Sequence, residues 1–167
     1  MKLTQVERAM LANQYRILMK LGSDNSESLS VMIDALESGY EQEFEECLWG
    51  INREPVPEAI CKEVNDILQM LRVTRRAATE RHLGEAIIER LTFEGFDANE
   101  AEGHYYYAEF LVTKKGVWSE LLGLPLNSHS GATLPMYRRM REVWQQTAQS
   151  LDMPTEDVER IANAAYA

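Results

Sequence analysis

Glu100 and His104 stand four residues apart in NEAEGHYYYAEF (99–110), a spacing that puts a carboxylate and an imidazole on one helix face. Such a pair could bind a metal ion that activates water. A metal site inside a helical bundle, however, draws about four ligands from facing helices. No HExxH motif and no repeat of Glu-x-x-His accompanies the pair. The spacing therefore reads as an ordinary side-chain pair with the imidazole at the edge of the core, and no metal or other cofactor is expected. Nor is there a glycine-rich phosphate loop, a Gly-x-Ser-x-Gly elbow, or a histidine recognisably placed to serve a nucleophile. His129 lies between Ser128 and Ser130 in a long polar loop, where loop composition alone accounts for it. No catalytic residue is assigned, and the balance is against an enzyme; a metal-dependent one using Glu100 and His104 is the weakest alternative.

Two arginine clusters could recognise anions. Arg72, Arg75 and Arg76 share one helix face, and Arg138 and Arg141 share another. Guanidinium groups set in pairs suit phosphate or carboxylate. They suit neighbouring carboxylates equally well, and Glu80 and Glu142 are near in sequence. Without interleaved aromatics or a helix-turn-helix signature, binding of nucleic acid or nucleotides through these arginines ranks as the alternative reading.

Two further sets concern recognition. In MLANQYRIL (10–18) a helical periodicity puts Gln14 within an apolar arc, with Asn13 and Tyr15 at its edges. A buried amide needs partners, because leaving it unpaired costs about 1–3 kcal/mol. Gln14 is therefore expected to be a hydrogen-bonded lock inside the core, and the alternative is the floor of a pocket. In the second set, Tyr105 shares a face with Ala101, Ala108 and Val112, while Tyr106, Tyr107 and Phe110 point elsewhere. A helix that is aromatic nearly all round is buried on several sides or lies in an interface. These four aromatics are expected to serve self-association, as a homodimer.

The elements that must position these residues are helical throughout. Thr4 and Glu7 form a capping box for a first helix, with Val6, Met10, Leu11, Tyr15, Ile17, Leu18 and Leu21 expected inward. A second helix is expected over Glu27–Ser38, stopped by Gly39, and a short third over Tyr40–Trp49. Ile60, Val64, Ile67, Leu68 and Leu71 mark a long amphipathic helix from Glu58 to about Arg81. Residues 82–96 read as either a helical turn or a short extended piece. Asp97 and Glu100 then signal a helix start, with the helix reaching about Lys114. Residues 116–135 are loop-like, with one turn around Trp118–Leu122; a helix is expected from Pro135 to about Ser150. Thr155 caps a last one, with Val158, Ile161, Ala162 and Ala165 inward. Helix one and the Tyr105 helix are expected to share one core.

The whole chain of 167 residues reads as a single all-α domain, a bundle of about six to eight helices, with 1–81 and 92–167 as sub-lobes. Its net charge of −10 repels phosphate backbones and lipid surfaces over most of the molecule. No apolar run reaches the ~20 residues that a membrane span needs, and the N-terminus lacks a signal-peptide core. Cys47 and Cys61 belong to no metal or disulfide pattern. A cytoplasmic location with no membrane partner is expected.

Thr4, Arg8, Leu11 and Asn13-Gln14-Tyr15, then Glu37, Gly39 and Tyr40, resemble the opening of the YfbU family of uncharacterised bacterial proteins. The most specific stretch is LTFEGFDANEAEG, where Thr92, Phe93, Gly95, Phe96 and Asp97 match a Thr-Phe-x-Gly-Phe-Asp run. Tyr137, Arg139, Met140, Val143 and Trp144 resemble the family's later helix. The resemblance implies a mostly helical bacterial protein and carries over no catalytic residue. It does not extend to 116–135, where the loop departs from the family pattern. The combined reading is an acidic, non-enzymatic binding or regulatory module that self-associates and serves an unknown protein partner.

Overall fold

The structure is a computed structural model that describes residues 1–22, 24–48, 50–51, 54–99, 103–129, 131 and 133–166. The fold is all-α. Among the described residues β geometry is limited to an isolated bridge between Phe96 and Asn127. The chain divides into two compact units, Met1–Pro55 and Val56–Ala167.

In the first unit, α1 (Gln5–Lys20) opens on the expected capping box of Thr4 and Glu7. α2 (Ser26–Ser38) ends at Gly39, whose φ of 77° is the left-handed stop. A 3₁₀ helix, Glu41–Leu48, follows and buries Phe44 and Cys47. The core is Ala12, Ile33, Leu36, Phe44 and Cys47, with Leu11, Tyr15 and Met19 packed against it. Five of the residues expected inside, Val6, Met10, Ile17, Leu18 and Leu21, are exposed instead.

The reason is that α1 carries apolar side chains on two opposite faces, so periodicity alone does not choose between them. Ala12 is the smallest of these side chains and lets α2 approach closely. On the same side, Arg8 donates to the Leu36 carbonyl at 2.9 Å and the Tyr15 hydroxyl donates to the Cys47 carbonyl. These bonds and the small side chain select the Ala12 face. An Ala12→Leu variant should therefore lose about 1–3 kcal/mol through overpacking, as urea unfolding followed by circular dichroism would show.

The second unit is built on α3 (Glu58–Glu80), which occupies the span the sequence indicates. It buries Val64, Ile67, Leu68, Met70 and Leu71, and also Glu63 and Thr74. The uncertain stretch 82–96 holds the short α4 (Glu85–Arg90) and then runs non-helically, paired through Phe96 to the 126–128 segment. Asp97 does not open a helix at once. Its Oδ1 accepts the backbone N–H of Asn99 at 2.9 Å, closing an Asx turn, and α5 (His104–Glu109) begins after Gly103. The chain widens into a π turn over Phe110–Lys114. A 3₁₀ turn, Ser119–Leu121, shortens the loop that follows.

α6 (Thr133–Trp144) and α7 (Thr155–Asn163) complete the unit. Val158, Ile161, Ala162 and Ala165 are buried as expected, while Thr155 is the first residue of α7 and its side chain makes no capping bond. Tyr105 packs against this unit's core, whereas α1 contributes to the core of the first. Among the described residues no helix is long and apolar enough to cross a membrane.

Candidate functional site

The most concentrated chemistry surrounds Glu63. Its carboxylate takes two bonds from Arg138, Nε to Oε1 at 3.1 Å and Nη2 to Oε2 at 2.8 Å. Arg141 Nη1 donates to Oε1 at 2.9 Å, and His104 Nε2 lies 2.9 Å from Oε2. The side chain of Glu63 is 11% exposed and that of His104 is fully buried. Hydrogen bonding from Arg138 above all, then from His104, holds the Glu63 carboxyl down at about 2, against the burial that would raise it. An ionised carboxylate only accepts, so the Nε2 atom of His104 carries the proton in this contact. The cluster joins α3, α5 and α6 through one side chain.

Arg138 and Arg141 thus have an anion already, and it belongs to the chain. The sequence had singled out both arginines but not Glu63. A signal existed: at about 100° per residue, Glu63 falls beside Met70, Thr74 and Ile67, in the middle of the arc that α3 buries. Glu100, the other half of the Glu100/His104 spacing, lies outside the described residues. Among the described residues no three His, Cys, Asp or Glu side chains converge as metal ligands.

The other arginines border a cleft of about 350 Å³ along α3. Leu68, Leu71, Leu91 and Phe93 form its apolar floor, and Leu121 and Leu124 supply a wall. Arg72 pairs with Glu120, and its guanidinium carbon lies 3.7 Å from the centre of the Trp118 ring. Burial would raise the Glu120 carboxyl, but the hydrogen bond and charge of Arg72 hold it below the usual carboxylate range. Arg76 pairs with Glu80 at 2.7 Å. The Arg75 side chain is exposed and has no partner among the described residues.

The remaining residues are dispersed. Gln14 is exposed and makes no hydrogen bond among the described residues, so the buried lock expected of it is not found. Asn13 Oδ1 accepts from Arg16 at 3.3 Å, and the burial of Tyr15 against the Cys47 carbonyl raises its hydroxyl above the ordinary value. Tyr105 donates to Glu109 at 2.9 Å, and the Tyr107 oxygen accepts from Asn65 at 3.3 Å. Tyr106 and Phe110 are exposed, each leaning on a neighbouring tyrosine ring.

Among the described residues the chain is helical, with a carboxylate-centred lock at Glu63 and an arginine-rimmed cleft along α3. Its sequence matches the YfbU domain over residues 1–164, and the chain belongs to that family.

Proposed function

We propose that the protein is a non-enzymatic binding or regulatory module of the bacterial cytoplasm that works as a homodimer, with α1 as the dimer surface. The supporting observation is the exposed apolar face of α1: Val6, Met10, Ile17, Leu18 and Leu21, from 45% exposed at Leu18 to 78% at Leu21. The face is symmetric in spacing. Val6 and Met10 lie as far before the Asn13–Gln14 pair as Leu21 and Ile17 lie after it. An antiparallel second copy would set Val6 opposite Leu21, Met10 opposite Ile17, and Asn13 opposite Gln14, the self-complementarity that a two-fold interface requires. The five side chains offer roughly 500 Å² per copy, so a pair would cover about 1,000 Å², the size at which specific interfaces begin. On this reading Gln14 is an amide at the centre of an apolar seam, where it fixes register.

Sedimentation equilibrium across a concentration series tests the proposal. The wild type should dimerise, and M10E/I17E should be monomeric with unchanged helical content. Y106A/F110A should remain dimeric. A wild type that is monomeric throughout, or a dimer that survives M10E/I17E, would sink the reading. Loss of the dimer only in Y106A/F110A would move the interface to the surface formed by α5 and the π turn that follows it.

A further inference from the structure

We infer that the cleft beside Arg75 is a binding site for a small amphipathic monoanion: a carboxylate of about ten non-hydrogen atoms with one charged head and an apolar tail. The inference is independent of the dimer reading, which concerns the first unit alone. Three features of the cleft carry it. The first is size and lining, about 350 Å³ over the buried side chains of Leu68, Leu71, Leu91 and Phe93. A volume of this order falls at the lower end of small-molecule sites, and such sites are mostly apolar with a few placed polar groups.

The second is charge. Arg72, Arg75 and Arg76 face Glu80 and Glu120 at the rim, which leaves one positive charge in excess. Arg72 and Arg76 are held by those carboxylates, so the excess resides at Arg75, which has no partner among the described residues. On a chain of net charge −10, a single unmatched guanidinium suits one anionic head. A nucleic acid would have to set successive phosphates against Glu80, Glu120 and the overall negative field, which is why a small molecule is favoured over a polymer.

The third is the turn that carries the wall residues Glu120, Leu121 and Leu124. Trp118, just before them and outside the lining itself, sits at φ 62°, in the left-handed region that bulky residues rarely occupy. Its indole nitrogen is buried without a hydrogen-bond partner among the described residues. Arg72, stacked on this ring and paired with Glu120, holds the strained turn against α3. An anion that draws Arg72 toward Arg75 competes with Glu120 for it and changes the surroundings of the indole. Binding should therefore be visible in tryptophan fluorescence as well as in heat.

The test is calorimetric titration of the full chain with octanoate, octan-1-ol and inorganic phosphate, repeated with Arg75→Gln and Arg75→Lys. Octanoate should bind with a saturable isotherm, at least about tenfold more tightly than either of the other two. Arg75→Gln should reduce octanoate to the level of the alcohol while leaving the melting curve unchanged, and Arg75→Lys should restore part of the affinity. Trp118→Phe should remove the fluorescence change and keep the heat. Equal binding of acid and alcohol, phosphate binding as tightly as octanoate, no octanoate binding, or an affinity untouched in Arg75→Gln would each overturn the inference. A labelled RNA or DNA that binds through Arg75, with no octanoate binding, would replace it with the polymer reading.

Discussion

Replacing Glu63 with Gln should cost about 2–4 kcal/mol of folding stability at neutral pH and leave the helical content intact. The carboxylate accepts charge-assisted bonds from both Arg138 and Arg141 and a further one from His104. The amide keeps one accepting oxygen and turns an N–H₂ group toward guanidinium groups that can only donate. Arg138 and Arg141 would then face each other without the charge that reconciles them. The pH dependence has a definite sign. The folded carboxyl is held at about 2 against an ordinary value of 4.5, so its contribution is complete above 4.5 and is lost as pH falls toward 2. A depression of that size is worth about 3 kcal/mol, an upper figure because Arg138 is partly exposed to water. Urea denaturation from pH 7 to pH 2.5 should show the gap between wild type and Glu63→Gln narrowing, with more than half of it gone by pH 3. A gap that holds constant over that range would mean that the arginines contribute by packing their stems and not by charge.

The comparison of Glu63 with Gln14 shows how far the sequence could be read. Both are polar residues within a helical arc of apolar neighbours, and the reasoning that each such residue needs partners is sound. It failed at Gln14 because α1 has two apolar faces, and the face containing Gln14 is the one left outside. The choice was made by Ala12 and by bonds from Arg8 and Tyr15 to carbonyls 28 and 32 residues away, and no local pattern encodes those distances. α3 was legible along its whole length because one continuous stripe is buried. Its polar member was missed because the stripe was drawn around Val64 and Leu71, whereas the buried arc extends past Glu63 and Thr74 to Ala77. The arginines at 138 and 141 hold a carboxylate of the chain itself. That the anion is Glu63, more than seventy positions earlier, depends on tertiary packing alone.

The stretch that carried the family resemblance supplies the other large expected effect. Gly95→Ala should destabilise the second unit by about 3–4 kcal/mol, for two separable reasons. Gly95 has φ 90°, and a Cβ there would lie 2.7 Å from the Leu126 carbonyl oxygen and 2.9 Å from the carbonyl carbon of Asn127. The first is backbone strain, worth about 1–2 kcal/mol for an L residue. The second is a clash with main chain, which cannot rotate away as a side-chain tip can. The contact is close because Phe96 and the 126–128 segment exchange backbone bonds of 2.9 and 3.0 Å, while Thr133 donates to the Gly95 carbonyl at 2.8 Å. Phe96 on one side of this seam is fully buried against Phe93 and Tyr137. Gly123→Ala isolates the strain: its φ is 85°, yet nothing stands within 4 Å of the added carbon. It should cost only about 1 kcal/mol. Chemical denaturation of the two variants should differ by about 2–3 kcal/mol, and amide exchange at Phe96 and Ser128 should accelerate in Gly95→Ala alone. If the two variants lose equal stability, the tight approach of residue 95 to residues 126–127 is not what holds this seam. Because the same loop carries Leu121 and Leu124, loosening the seam should also weaken octanoate binding in Gly95→Ala by more than Gly123→Ala does.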